Sequence, residues 1–428
     1  MSTEQSMEKW LPCQSRCELA GAAAFFLSIE NSAVLINGPR WCAMIAEREM
    51  ASVEKKYEKQ MFCSEVKEFD LLYGADDAML NALDEVKNEC QPEVITVLNS
   101  CSVSLIGDDI GGICKRAKMN CPVIFMDAGG LHGEFWTGYQ EAAKKLLGEF
   151  KLTRTEYCQT NLVNIIGWCT SYPNWKGDLE EVKRMLRIAG IEVGVCLGAD
   201  GVSIEEIKKI PLAAFNLVLH PELGVSLAEF LQEQLGQEFF IAPIPYGMQC
   251  SLAWLKGIAS KLGINIDLQQ LEVEVAINQE KIDEAIFQMK GNNKNITFGN
   301  VYMELTYGHA YGIAKALQKE FPDLAQIYLR IQGPVEACYP KIEGVKKWLR
   351  FENLEIEEEK SIDLVFGNVQ SRLEIGHYQQ VVFKNLLLPM QGVNVYERPY
   401  AGILGWKYLL AEIIEDFQTM VYLNPVSR

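Results

Sequence analysis

The chain has 428 residues, 49% of them hydrophobic and 23% charged, a composition that speaks against an intrinsically disordered or fibrous protein. Its formal net charge is −17, and no cluster of Lys and Arg offsets it, which argues against a nucleic-acid partner held through phosphates. Length alone predicts about three domains.

The first ten residues, MSTEQSMEKW, have neither the basic start nor the apolar core of a secretory signal. The longest apolar stretch, 19–29, lies between Glu18 and Glu30 and is shorter than the roughly 18 residues a membrane span requires. A cytoplasmic protein with no membrane partner is expected. In a reducing compartment the 13 cysteines read as metal ligands and buried small hydrophobes, not as disulfides.

Strands and helices then alternate along the chain. Apolar runs of strand length at 33–36, 93–98 and 122–126 are predicted with amphipathic helices at 76–89 and 106–118. The middle third repeats the rhythm, with strands at 163–166, 192–197, 216–219 and 239–242 and helices near 179–188, from Ser203, and near 226–235. A helical pair over 251–290 precedes the polar stretch Gly291-Asn-Asn-Lys-Asn295, which marks a boundary. Strands at 296–303, 326–331 and 362–366 follow, and the Glu-rich run 352–360 reads as a solvated face. Pro399-Tyr-Ala-Gly-Ile-Leu-Gly405 then leads into a helix to about Phe417, expected to pack back on the first domain. Such alternation implies α/β architecture with parallel sheets covered by helices.

Three cysteines stand at breaks in this pattern: Cys17-Glu-Leu-Ala-Gly-Ala22, Gly38-Pro-Arg-Trp-Cys42 and Cys101-Ser-Val-Ser-Leu-Ile-Gly-Asp-Asp-Ile110. Parallel sheets gather ligands at the carboxyl ends of their strands. Cys42 follows strand 33–36 and Cys101 follows strand 93–98, so both should emerge on one sheet edge. Three thiolates brought together can hold three corners of an iron-sulfur cluster, four-iron or larger, and leave the fourth to another chain. Gly38 and Gly107 are the candidate cofactor-binding glycines, and a helix starting over 105–110 should carry Asp108 and Asp109 in its first turn. For each cysteine the plain alternative is a buried thiol; three similar breaks favour ligation. Cys13 is a candidate for an auxiliary role.

His220, at the end of the predicted strand 216–219, could ligate a metal or move a proton, and His309 in Thr306-Tyr-Gly-His309 could do the same at the start of a later helix. Both are candidate catalytic residues; His132 in Gly129-Gly-Leu-His132 is a weaker one. The alternative for each is a hydrogen-bonded loop histidine. Neither G-x-x-x-x-G-K-[ST] nor G-x-G-x-x-G occurs, so nucleotide hydrolysis is expected of a partner.

The cysteine segments and the terminal Pro399-Tyr-Ala-Gly-x-x-Gly405 together resemble component 1 of the nitrogenase superfamily over essentially the whole chain, most specifically over 101–110. The resemblance implies three Rossmann-like domains around a central cleft, here 1–150 plus 385–428, 151–290 and 291–384. It also implies a P-cluster-like iron-sulfur cluster shared across a subunit interface. The partners implied are a homologous component 1 subunit or a second copy, an ATP-hydrolysing iron protein as electron donor, and a small-molecule substrate. Trp41 replaces the usual small residue before the second cysteine. His220 stands where the catalytic subunit of nitrogenase has a cofactor-anchoring cysteine. No histidine immediately precedes Pro399, His377 being the nearest. The resemblance therefore points to a nitrogenase-like reductase subunit, comparable to those acting on tetrapyrroles or small thioethers, that relays low-potential electrons to the cleft. The alternatives are a non-catalytic scaffold for nitrogenase-type cofactor assembly and a cluster-free binding protein on the same fold; intact cysteines count against the last.

Overall fold

A computed structural model describes residues 17–51, 57, 59–131, 133–155, 158–290, 299–321, 324–347, 362–369, 371–372, 381–387 and 398–423. Cys13, His132, His377, the polar stretch 291–295 and the acidic run 352–360 lie outside the described residues. The chain divides into two compact units. One holds the described residues up to Leu152 together with Gly198–Ile207, and the other holds Thr153–Leu197 and everything from Lys208 onward.

The first unit contains a sheet of β1 (Ser32–Asn37), β2 (Met61–Cys63), β3 (Val94–Asn99) and β4 (Val123–Asp127), in the order β2-β1-β3-β4. The second unit contains two sheets. In one, β5 (Gln159–Ile166), β6 (Glu192–Cys196), β7 (Ala213–Val218) and β8 (Phe239–Ile241) run in the order β6-β5-β7-β8. The other comprises β9 (Asn300–Thr306), β10 (Gln326–Gln332), β11 (Val345–Lys347), β12 (Leu364–Gly367) and β13 (Val382–Asn385), ordered β11-β10-β9-β12-β13. Every described strand pair is parallel. Helices cover these sheets, so central strands such as β1 and β3 are buried at every position and read as unbroken apolar runs. The expected third-domain strand at 296–303 is observed as β9, and β2, β11 and β13 join the sheets as strands of three or four residues, too short to carry a period.

In the first unit the helix Glu18–Leu27 is buried along its whole length and packs on the helix Phe135–Phe150. Two glycines let the backbones touch. A Cβ on Gly21 would lie 1.8 Å from the Phe135 carbonyl oxygen, and one on Gly138 would lie 1.9 Å from that of Glu18. The Phe25 and Tyr139 rings meet edge to face beside this contact, with centroids 5.2 Å apart.

Two expectations are corrected. The helix foreseen to start over 105–110 is preceded by a separate one that opens at Cys101, runs to Ile106 and is closed by Gly107 in the left-handed conformation, at φ 80°. A second helix, Ile110–Ala117, follows. Asp109 is its N-cap and accepts from Gly112 N at 2.9 Å, while Asp108 accepts from Ala75 N at 2.9 Å. Both aspartates therefore lie in the link after the αL turn, before the second helix and not inside its first turn.

The C-terminal helix Gly402–Leu423 belongs to the second unit, not to the first domain as expected, and packs on the helices Trp175–Ile188, Met248–Leu262 and Gln269–Lys290. Its apolar face finds a ready match there. Asp178 Oδ1 accepts from Tyr400 N at 2.6 Å and Ala401 N at 2.8 Å, and Glu181 Oε1 accepts from Leu404 N at 3.1 Å. These carboxylates satisfy amide groups that a helix start leaves open. Gly402, at φ 77°, fits under Glu181, whose Cγ would lie 2.5 Å from an added Cβ. Lys384 bridges from β13 to Glu412 and Asp416 at 3.1 and 3.0 Å. No described helix is long and apolar enough to cross a membrane.

Candidate functional site

The three cysteine segments converge in the first unit. Cys17 caps the N-terminus of the helix Glu18–Leu27, Cys42 lies in the first turn of the helix Arg40–Ala51, and Cys101 opens the helix Cys101–Ile106. Gly129 and Gly130, in the loop after β4, run between two of them. A Cβ on Gly129 would lie 2.9 Å from Cys101 Cα and 3.1 Å from its Sγ, and one on Gly130 would lie 3.0 Å from Cys17 Cβ. Gly38 does the same on the other side, where an added Cβ would meet Ser100 Oγ at 2.3 Å. Burial, then the nearby Cys17, Cys101 and Cys63, raises the Cys42 thiol above its ordinary value. Cys17 is exposed, while Cys42 and Cys101 are partly buried.

No group of three or more His, Cys, Asp or Glu side chains among the described residues closes on a single metal-ion position. Cysteine thiols beside glycines that let backbone approach closely are the donor type that iron-sulfur clusters take. Cys63 is engaged elsewhere, donating to Gly38 O at 3.5 Å and accepting from Glu65 N at 3.4 Å. Gly38 packs tightly against Ser100, the residue before Cys101. Gly107 is exposed, with nothing within 4 Å of an added Cβ, so its visible role is the positive φ of a helix end.

A chain of side-chain hydrogen bonds fixes this edge of the sheet. Ser64 Oγ donates to Asn37 Oδ1 at 2.8 Å, Asn37 Nδ2 to Asn99 Oδ1 at 2.9 Å, and Asn99 Nδ2 to Asp127 Oδ1 at 3.0 Å. Ser104, in the Cys101 helix, donates to the same Asp127 oxygen at 2.9 Å. The register pairs Asn37 with Asn99 and Asn99 with Asp127, so the last residues of β1, β3 and β4 are tied in one row.

Elements carrying the cysteines also expose large apolar side chains. Trp41 beside Cys42 is 68% exposed, Leu105 in the Cys101 helix 76% and Leu131 after Gly130 69%. Met44, Ile45, Phe69, Leu72 and Tyr73 add to them.

In the second unit, His220 caps the helix Pro221–Leu235 at the end of β7, and His309 lies in the first turn of the helix Tyr307–Glu320 after β9. The structure brings the two predicted histidines together, with ring centroids 4.8 Å apart. Both are buried, as is Glu222, whose Oε1 accepts from Tyr172 OH at 3.1 Å and whose Oε2 accepts from Gly308 N at 3.0 Å. Burial alone would raise the Glu222 carboxyl, but His220, its own backbone N–H and Thr306 bring it below the ordinary value. Burial, then His220, holds His309 well below the usual histidine range, so it stays neutral. Its Nδ1 lies 2.7 Å from the Tyr246 hydroxyl, and in either tautomer Nε2 has no hydrogen-bond partner among the described residues. His220 Nδ1 is likewise without a hydrogen bond, 3.7 Å from Glu222 Oε1.

The sequence model of the nitrogenase component 1 type oxidoreductase family matches residues 17–418. The chain belongs to that family. Nitrogenase iron-molybdenum cofactor biosynthesis protein NifE of a Nostoc species is 30% identical over 423 residues, 96% of this chain and 84% of that protein. NifE of Clostridium pasteurianum is 27% identical over 68% of this chain, and the match spans 64% of that relative's length. A subunit of the light-independent protochlorophyllide reductase of Halorhodospira halophila is 24% identical over 66% of this chain and 54% of its own length. The solved structure of nitrogenase Cp1 at pH 6.5 superimposes with a TM-score of 0.76 at 15% identity, covering 96% of this chain and 94% of the other. That likeness establishes the Rossmann-like α/β fold.

In this component 1 chain, sequence reasoning singled out the three cysteines and both histidines as candidates but not the residues bonded and packed around them. Asn37 and Asn99 end two neighbouring strands, and that shared place was the available signal. Glu222 stands two residues after His220, yet nothing in the sequence joins it to Tyr172, 50 positions away.

Proposed function

We propose that this chain holds an iron-sulfur cluster through Cys17, Cys42 and Cys101, at a surface shared with a homologous component 1 subunit or a second copy. On this reading it relays low-potential electrons from a separate ATP-hydrolysing iron protein to a substrate or cofactor beside His220 and His309. The observation that carries the reading is the packing of Cys101 against Gly129 and of Cys17 against Gly130, with Cys42 close enough for both cysteines to raise its thiol. When bound, such a cluster supplies one-electron transfer at low potential. Cys63, whose Sγ donates to Gly38 O, is given no ligand role on this reading, so the fourth corner falls to the partner, and Trp41, Leu105 and Leu131 offer that partner apolar surface. On this reading His220 Nδ1 and His309 Nε2 are the ring nitrogens that face the reduced group, His309 as a neutral imidazole.

A second reading, a scaffold for assembly of a nitrogenase-type cofactor, draws on the NifE match over 96% of the chain. Anaerobic purification with co-expressed partners tests both. Iron quantitation and paramagnetic resonance of the reduced protein are expected to show a cluster that Cys101→Ala loses almost entirely and Cys63→Ala retains. Iron-free protein, or an unchanged signal in Cys101→Ala, would sink the cluster assignment. Substrate reduction that requires both iron protein and ATP separates the reductase from the scaffold.

A further inference from the structure

We propose that a cavity of about 190 Å³ in the second unit, beneath the segment that follows β8, binds a small planar aromatic carboxylate. It lies between the helices Met248–Leu262 and Tyr307–Glu320, with Phe240, Tyr246, Trp254 and Tyr311 among its lining residues. Pro243, Pro245 and Pro340 also line it and bring no N–H donors. The Trp254 indole N–H is spent on Ala242 O at 3.2 Å, and the Tyr246 hydroxyl on His309. The interior therefore offers flat apolar surface with few free donors, the kind of lining that small-molecule sites use.

Charge then selects the ligand. In a chain of net charge −17, no lining residue is acidic and the single charged one is Lys315. This lysine is exposed, with Nζ 3.5 Å from the Tyr311 hydroxyl and 5.5 Å from that ring's centroid, so the cation stands at the mouth. A cavity of roughly 150 Å³ already accepts benzene, so the volume suits one ring with one substituent. The ring lies among the aromatics, and the carboxylate faces Lys315. The inner end is shut by contact between backbones, since a Cβ on Gly312 would come within 2.4 Å of Ile244 O. Gly257, by contrast, has nothing within 4 Å of an added Cβ. A side chain there can fill the cavity without displacing the helix.

Fluorine resonance of para-fluorobenzoate titrated with the full-length protein tests the assignment. Saturable broadening is expected for the wild type. Gly257→Phe should weaken it at least about tenfold while raising helix propensity, with circular dichroism confirming the fold. Lys315→Met should weaken it by about threefold, the scale of one exposed charge contact, and para-fluorobenzamide should bind the wild type correspondingly less well. Unchanged binding in Gly257→Phe would show an adventitious additive only and overturn the site. Equal binding of benzamide and benzoate, or no effect of Lys315→Met, would overturn the carboxylate.

Discussion

Gly138→Ala is expected to destabilise the first unit by on the order of 3 kcal/mol, a large effect for one methyl group. The new Cβ would have to occupy a point 1.9 Å from the Glu18 carbonyl oxygen, and backbone cannot rotate away as a side chain can. The helix Glu18–Leu27 must shift as a body, and Cys17 at its N-cap shifts with it. Gly148→Ala on the same helix is the matched control, because its Cβ meets nothing within 4 Å. There the exchange should stabilise by about 0.5–1 kcal/mol, the ordinary helical preference of Ala over Gly. Urea midpoints of the two variants, read by tryptophan fluorescence, should move in opposite directions. Equal midpoints would show that the helices can part without cost.

Asp178 should make stability fall as pH rises across the mildly acidic range. Burial, opposed by its hydrogen bonds from Ala401 and Tyr400 and aided by Glu181, pushes its carboxyl from 3.8 up to about 7 in the folded chain. The folded protein therefore binds a proton that the unfolded chain has already released. Stability from the protonated group is complete below the unfolded value and is lost as pH climbs towards about 7, above which the loss levels off. The full span is on the order of 4 kcal/mol. Asp178→Asn keeps an oxygen for Tyr400 N and Ala401 N but cannot ionise. Measured by denaturant unfolding between roughly pH 4 and pH 8, the variant should gain on the wild type steadily as pH rises. A difference that stays level with pH would rule out a raised carboxyl.

Much of the fold was legible because its strands are buried on both faces, so they appear in the sequence as continuous apolar runs bounded by Gly, Pro and Asn. β2 was not, since Met61–Cys63 is held in place by its pairing with β1 and offers no pattern of its own. The C-terminal motif was visible as a motif, but its destination was not. Which helix receives Tyr400 and Ala401 is decided by Asp178, more than 200 residues earlier. In the site, the chemistry-bearing Cys and His stood out by type. The residues that orient them, Asn99, Glu222 and Tyr246, became recognisable only when the topology set strand ends side by side.

The row of hydrogen bonds across the first sheet has one more consequence. Asn37 and Asp127 are not bonded to each other, yet both hold Asn99, which has one amide to offer and must orient it to satisfy both at once. Exchanging either neighbour for a residue of opposite donor sense turns that amide over and reverses what it presents to the other. The loops that follow Asn37 towards Cys42 and Asp127 towards Gly129 are thereby thermodynamically coupled through a single rotor, and substitutions at Asn37 and Asp127 are not free to accumulate independently.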